Sequence, residues 1–479
     1  DEMSKKGRYT SKIVILDDNN NFYDIIDLNR YLHANVYKNK SIVIYGMGFV
    51  GLTLGLVIAE TNFFKVTGYD IDNNIIDKLK NRIPPFFEKG ITESLSNSLD
   101  SEKINFTTNP NNHFDIHIVT VGTPIGKDNI PNLLILEKCI MQLSKFLKRG
   151  DLIIFRSTVP VGTTRNFALP LVEKISKMVG GIDFHLAFAP ERTIEGNALS
   201  ELKTLPQIIA GLTPTCTQLA CVLFEKFSSS IIRLKTLEEA EMIKLINNSY
   251  RDLVFSFANE VALNCDKYNI DAFNLIRSAN EGYPRNKIPE PSPGVGGSCL
   301  TKDPYLYISS QDKENNSLYP KRKLSQISRD INSRGVQYAI HQFNKFKNSH
   351  GTNQQIKPLI IGLAFKGWPE TDDTRFSVGL ELAQKLVSLS YDIRVFDHVV
   401  KNDQIEKQGI KPYNPKTDKV NAIFIMNNHP ANYKFDLEKI INDNIGKIYV
   451  FDGFGLLNKD QILSQDKAIY STLGFYQKD

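Results

Sequence analysis

The sequence predicts an α/β protein made of two doubly wound sheet domains with a long-helix region between them. Three observations lead there. From Ser41, short apolar runs alternate with helical stretches, the signature of a parallel sheet covered by helices on both faces. At Thr236 the strand signal stops, and one helical pattern runs to Lys267. At Pro358 the alternation resumes. The expected division is an extension at 1–40, a sheet domain at 41–235, a helical region at 236–345 and a second sheet domain at 346–479. A chain of 479 residues also exceeds what one hydrophobic core supports.

Composition excludes several classes. With 41% hydrophobic and 23% charged residues, the chain is neither disordered nor fibrous. A net charge of +5 leaves no electrostatic footprint of nucleic-acid binding, and no run approaches the roughly 18 apolar residues of a membrane helix. The polar segment Asp1 to Lys12 lacks the apolar core of a secretory signal. Five scattered cysteines argue against a disulfide framework and for a reducing compartment, so a cytoplasmic protein is expected.

Taken in order, Ile13–Leu16 reads as a strand and Tyr23–Leu32 as a helix, with DDNNN as the turn between them. IVIYG is a strand, LTLGLVIAE an apolar helix, and KVTGYD a second strand ending at Asp70. Further strands are expected at Asp115–Val121, Asp151–Arg156 and Phe184–Phe188. In the long helix, Thr236 and Glu239 form a capping-box start, and Ile243, Ile246, Tyr250, Leu253, Phe257 and Val261 fall at helical spacing. Its length, on the order of 45 Å, suits a connecting or dimer-forming spine. PLIIGLAFK, a helix over Ser377–Leu389 and YDIRVFD then repeat the order of residues 42–70. That second copy lacks the third glycine, so it is expected to bind something other than a dinucleotide.

Five constellations carry chemistry. Gly46, Gly48 and Gly51, enclosing Phe49 and Val50, form G-x-G-x-x-G between a strand and a helix, where the backbone can approach a pyrophosphate. Asp70, 24 residues past Gly46, supplies the carboxylate that takes ribose hydroxyls and repels a 2′-phosphate, so a Rossmann-type site for NAD rather than NADP is expected. Thr123 in VGTP and Thr158 in STVPVG follow strands and are placed to line a cofactor crevice, although ordinary turns use the same residues. In APERTIEGNAL, Glu191 and Glu195 flank Arg192 and are candidates for a general base and a water-positioning group; singly, each reads as a loop charge. Lys244 and Asn248 share one helix face and together suit an oxyanion, while spacing alone favours a solvent-facing polar stripe. Cys299 lies in a glycine-rich turn with Lys302 and Asp303 beside it, which makes it the nucleophile candidate. Cys139, Cys216, Cys221 and Cys265 read as core residues, and His113 and His117 as structural. No histidine or cysteine spacing supports a metal site.

Seven segments in order, GMGFVG, VGTP, STVPVG, APERTIEGNAL, EAEMIKLINNSYRD, GVGGSCLTKD and GLAFKGWPETDDTR, make the chain from Ser41 onward resemble the UDP-glucose/GDP-mannose dehydrogenase family. The resemblance implies an N-terminal Rossmann NAD-binding domain, a central long-helix dimerisation region and a C-terminal Rossmann-like UDP-sugar-binding domain. It implies a homodimer or larger homo-oligomer that oxidises the C6 alcohol of a UDP-sugar to a carboxylate with two NAD, as a step toward surface polysaccharide. Carried over by position, Cys299 would form a thiohemiacetal and then a thioester, and Lys244 and Asn248 would stabilise the oxyanions. Asp303, Thr158 and Glu195 would assist water, while Glu191 and Arg192 would sit at the cofactor and substrate junction. Arg285, Lys366 and Arg375 would bind substrate, Arg285 reaching across the dimer. APERTIEGNAL favours UDP-N-acetylmannosamine over UDP-glucose or UDP-N-acetylglucosamine. More distant alternatives are a two-electron hydroxyacid dehydrogenase and a non-enzymatic nucleotide-sugar binder.

Overall fold

The computed structural model describes residues 40–110, 112–310, 322–350 and 355–477, and the backbone of two N-terminal strands. These strands, β1 (Lys12–Leu16) and β2 (Phe22–Asp27), pair antiparallel with Lys12 opposite Asp27. The helix expected from Tyr23 is thus a strand as far as Asp27. FYDIID is rich in aromatic and β-branched residues and has a partner in KIVIL. The DDNNN turn and residues 28–32 lie outside the described residues.

The first sheet contains β3 (Ser41–Tyr45), β4 (Lys65–Tyr69), β5 (Ile104–Thr107), β6 (Ile116–Val119), β7 (Leu152–Phe155), β8 (His185–Phe188), β9 (Gln207–Gly211) and β10 (Ile231–Arg233). Their order is β10-β9-β8-β7-β6-β3-β4-β5. The central strands β6 and β7 are buried along their whole length and β3 from Ile42 onward, as two-sided burial requires. One neighbouring pair, β8 and β9, is antiparallel. The chain therefore turns back at one edge, and APERTIEGNAL stays at the C-terminal ends of the strands, where ligands bind in such sheets. Helix α1 (Phe49–Glu60) follows β3 and is apolar on every side, so Gly51 through Ala59 are all buried.

Helix α2 (Leu237–Tyr268) begins at the predicted capping box, with Thr236 and Glu239 bonding each other's backbone. Its faces are in part inverted relative to expectation: Ile243 and Val261 pack on the cores. Ile246, Tyr250 and Phe257 are 42%, 66% and 51% exposed, whereas Glu241, Lys244, Asn248, Asp252 and Asn259 are buried. The polar stripe faces inward because α3 (Asp303–Ser309) and α4 (Leu324–Asn332) pack on it and bring matching polar groups. Helix α5 (Gly335–Ser349) crosses the expected boundary at 345/346. Its Phe343 and Phe346 join the core of the second sheet.

That sheet holds β11 (Pro358–Ile361), β12 (Arg394–Phe396), β13 (Ala422–Ile425), β14 (Ile448–Asp452), β15 (Ala468–Thr472) and β16 (Phe475–Tyr476). Their order is β12-β11-β13-β14-β15-β16, parallel except for the last pair. The third glycine missing from the sequence repeat is present in space. A Cβ on Gly379 would meet the Gly362 carbonyl oxygen at 2.1 Å, just as a Cβ on Gly51 would meet that of Gly46 at 1.8 Å. Gly362 and Gly46 also share a left-handed backbone, φ +101° and +97°. An insertion separates the two glycines and hides the repeat. Among the described residues, no helix is long and apolar enough to cross a membrane. Gly379→Ala should destabilise the C-terminal domain by about 1–3 kcal/mol, the usual effect of overpacking against a backbone that cannot yield, read as a lowered melting temperature.

Candidate active site

The dinucleotide site follows from local geometry. Gly46 takes φ +97°, and Gly51 lies too close to the Gly46 carbonyl for any side chain, so the turn after β3 must be glycine. A Cβ on Gly48, by contrast, would meet nothing within 4 Å, which leaves open space at the N-terminus of α1. A pyrophosphate fits such a place, since free backbone N–H groups and the helix dipole both favour an anion. Asp70 Oδ2 accepts from Met47 N at 2.7 Å and Oδ1 from Asp72 N at 3.0 Å, so the carboxylate is fixed beside the glycine turn. Phe49 packs on Phe86, with ring centroids 5.5 Å apart. Thr123 donates to the Thr158 carbonyl, which joins the two loops expected to line the crevice. These residues suit NAD by glycine cradle and carboxylate position.

Cys299, Lys244, Asn248 and Asp303 converge. Asn248 Nδ2 donates to Asp303 Oδ2 at 2.6 Å, and Lys302 Nζ lies 2.8 Å from Asp303 Oδ1. Asp303, fully buried, thus has both oxygens engaged. Lys244 is buried and its ammonium makes no hydrogen bond among the described residues, which leaves it for a bound oxygen. Cys299 is reachable from solvent but walled by protein. Burial pushes its thiol pKa up, Lys244 and Lys302 pull it down, and Asp303 and Glu195 push it up further; the net shift is upward. The other four cysteines are buried.

Glu195 sits where the two sheet domains touch. Thr371 Oγ1 donates to its Oε2 at 3.2 Å, Arg375 Nη2 lies 3.8 Å from Oε1, and Lys366 Nζ donates to its carbonyl at 2.6 Å. Burial and the neighbouring Asp373 raise the Glu195 carboxyl to about 7, against the pull of Arg375 and Lys366. Burial lowers the Lys366 ammonium to about 8; Glu195 opposes this and Arg251 adds to it. Arg375 is clasped by Asp373, with Nη2 to Oδ2 at 2.7 Å and Nε to Oδ1 at 2.9 Å.

Three expected ligands, Glu191, Arg192 and Arg285, differ from their expected settings. Both oxygens of Glu191 are committed within the protein: Oε2 accepts from Arg156 Nη2 at 2.6 Å and Nε at 3.0 Å, and Oε1 from the backbone N of Arg192 and Thr193. Burial would raise this carboxyl, but Arg156 and the backbone donors outweigh it and hold the pKa below the usual value. Arg192 donates through Nη2 to the Pro206 carbonyl at 2.5 Å. Arg285 is exposed and lies 5.4 Å over the Tyr283 ring, and among the described residues no hydrogen bond or ion pair ties it to the cysteine loop.

Sequence reasoning missed the supports. Glu241 accepts from Gly162 N at 2.5 Å and Thr164 N at 2.8 Å, clamping STVPVG to α2. Glu88 accepts from Gly196 N and Ala198 N at 2.6 and 2.8 Å and so fixes the turn that carries Glu195. Buried carboxylates need such donors, but nothing local in sequence signals the partner. For Glu241 the signal was present in part: with Lys244, Asn248 and Asp252 it repeats at helical spacing.

Comparison with known proteins agrees with this architecture. The UDP-glucose/GDP-mannose dehydrogenase family matches in three parts, its NAD binding domain at residues 40–228, its central domain at 238–334 and its UDP binding domain at 359–459. A UDP-N-acetyl-D-mannosamine dehydrogenase of Pyrococcus horikoshii is 31% identical over 426 residues, 88% of this chain and 97% of that protein. One of Campylobacter jejuni is 34% identical over 358 residues, 73% of this chain and 84% of its own. The solved structure of the UDP-D-ManNAc dehydrogenase from Pyrococcus horikoshii superposes with a TM-score of 0.79 at 30% identity, covering 91% of this chain and 99% of that one. The chain therefore belongs to the UDP-glucose/GDP-mannose dehydrogenase family, as an NAD-dependent oxidoreductase acting on CH–OH groups.

Proposed function

We propose that the protein oxidises the C6 primary alcohol of a UDP-sugar to a carboxylate through a covalent bond to Cys299, and that UDP-N-acetylmannosamine is the favoured substrate. The reading is carried by a solvent-reachable thiol lying among Lys244, Asp303 and Glu195, between two nucleotide-type domains. The sugar preference is supported by the two relatives that bear that name at 31% and 34% identity.

In the first oxidation, Glu195 takes the C6 hydroxyl proton, while the Lys244 ammonium and the Asn248 amide hold the developing alkoxide. NAD, when bound, supplies the hydride acceptor for both oxidations. The Cys299 thiol, neutral at rest, then passes its proton to a base as sulfur bonds the aldehyde carbon, and the carbonyl oxygen becomes a hydroxyl. Loss of a second hydride and the hydroxyl proton gives a thioester. Water adds to it, the C–S bond breaks, the thiol is restored and the uronate leaves. Asp303, with both oxygens bound, acts by orienting Asn248 and Lys302. Lys366 and Arg375 hold the diphosphate, Arg375 by the side of its guanidinium that Asp373 does not clasp, and Thr158 helps place water. Overall, one alcohol, two NAD and one water give one carboxylate, two NADH and three protons.

The chain is further proposed to work as a homodimer. Ile246, Tyr250 and Phe257 form an exposed apolar stripe on α2 that a second copy would cover, and Arg285, outside its own cleft, is free to serve the partner's.

Assayed with NAD, a panel of UDP-N-acetylmannosamine, UDP-N-acetylglucosamine and UDP-glucose should show the highest kcat/KM for the first, with two NADH per uronate. Cys299→Ala should form no uronate, and a single NADH per sugar in the wild type would remove the thioester from the mechanism. The kcat/KM profile should rise through a pKa near 7 as Glu195 loses its proton, a limb that Glu195→Gln should abolish. Above about 8 the KM for sugar should climb, because Lys366 loses the charge that holds the diphosphate. Tyr250→Glu combined with Phe257→Glu should yield a monomer in analytical ultracentrifugation, with less activity at equal NAD affinity.

A further inference from the structure

The Cys299 loop is gripped from behind by buried polar groups that the proposed reaction does not use. Asp252 on α2 is fully buried, and its Oδ1 accepts from Arg329 Nη1 at 2.6 Å and Asn332 Nδ2 at 2.8 Å. Arg329 and Asn332 belong to α4. Both then reach the loop: Arg329 Nη2 donates to the Val295 carbonyl at 3.3 Å, and the Asn332 carbonyl accepts from Val295 N at 3.3 Å. Asn332 Oδ1 also accepts from Asn259 Nδ2 at 2.8 Å, and Asn259 Oδ1 accepts from Ser292 N at 2.8 Å. Each end of the 292–295 strap is therefore bonded to a side chain on α2 or α4. Glycines let the strap come this close. A Cβ on Gly335 would meet the Pro293 carbonyl oxygen at 1.5 Å, and one on Gly294 would meet that of Asn332 at 3.0 Å.

We propose that the Asp252–Arg329 pair is a positioning device that sets Cys299 against Lys244 and Asn248, and that it serves the thiol-dependent half of the reaction. Apolar residues of equal volume stabilise a helix contact at least as well as a buried ion pair, so the charge here serves geometry. The same helix face holds the loop from its far side through Asn248 and Asp303. Cys299 is thus suspended between two anchors on α2, one turn of helix apart. Arg329 is needed as arginine because one fork spans two acceptors, Asp252 Oδ1 and the Val295 carbonyl; a lysine keeps the charge and loses the span.

This inference rests on the thioester reading, and the test separates the two. Asp252→Asn, nearly isosteric, and Arg329→Lys are compared with wild type. In single turnover, the first NADH should form at the wild-type rate with unchanged NAD affinity and sugar KM. The second should slow on the order of 10²-fold, the effect of an ångström-scale misplacement, with free aldehyde captured by hydroxylamine. Without substrate, carbamidomethylation of Cys299 by iodoacetamide should change rate in both variants, with melting temperature showing that they are folded. Equal slowing of both NADH phases would mark a merely structural pair and overturn the proposal, as would wild-type rates of both the second phase and Cys299 alkylation in a folded variant. A wild type that yields one NADH per sugar would overturn the thioester reading alone. The alkylation rate then decides whether the pair positions the thiol.

Discussion

Glu241, Lys244, Asn248, Asp252 and Asn259 lie along one face of α2, and burying that face constrains everything around it. A buried carboxylate or ammonium must find partners or lose its charge. Here the partners are loops and helices from elsewhere in the chain. Glu241 takes the backbone of the loop after β7, Asn248 takes Asp303, and Asp252 and Asn259 take the strap before Cys299 through α4. The helix thus gathers the loop after β7 and the Cys299 loop, and polar satisfaction rather than hydrophobic burial fixes their register. Ile246, Tyr250 and Phe257 of the same helix are turned outward, which an isolated chain would not choose and a second copy would resolve.

The two sheet domains solve one problem in different ways. Each turns from its first strand into a helix over a pair of glycines in contact, Gly46 with Gly51 and Gly362 with Gly379. In the first domain the turn is short and the space beside Gly48 stays open. In the second, the intervening segment carries Lys366, Thr371, Asp373 and Arg375, and it extends across to Glu195. Asp397 stands where Asp70 stands, but it accepts from Leu363, Ala364, Val399 and Val400 N–H groups and from Asn427, so it has no acceptor left for a ribose. The segment that lengthens the turn is thus also the one that brings Lys366 and Arg375, set among Glu370, Asp372 and Asp373, to the first domain.

What could be read from the sequence divides along the same physical line. The glycine turn, Asp70 and the capping box at Thr236 depend on neighbours close in sequence, and the structure has them where the spacing indicates. The third glycine of the second domain was invisible because it lies 17 positions rather than 5 beyond its partner. The orientation of α2 was misread because hydropathy assigns polar residues to water, and only α3 and α4 supply the partners that bring them inside. The hairpin at Phe22–Asp27 was misread because a six-residue run carries too little pattern to decide between helix and strand. Arg156, which holds Glu191 in the core, has no local signal, since its partner lies 35 residues away.

The electrostatics of the site fit the order of the proposed steps. A thiolate already present at rest would be exposed to electrophiles and oxidants before any aldehyde existed. Here burial holds the Cys299 thiol neutral, and the nearby anions Asp303 and Glu195 reinforce that. Those two anions are not equivalent. Asp303 has both oxygens bound, whereas Glu195, raised to about 7, changes protonation within the working range of pH. When Glu195 takes the alcohol's proton in the first oxidation its negative charge disappears, which leaves burial and Asp303 as the influences that still disfavour the thiolate. Lys244 then acts on Cys299 with less opposition. The nucleophile is thus eased toward ionisation by the step that creates its electrophile, an ordering produced by charge alone with no movement of the loop that the strap behind it holds in place.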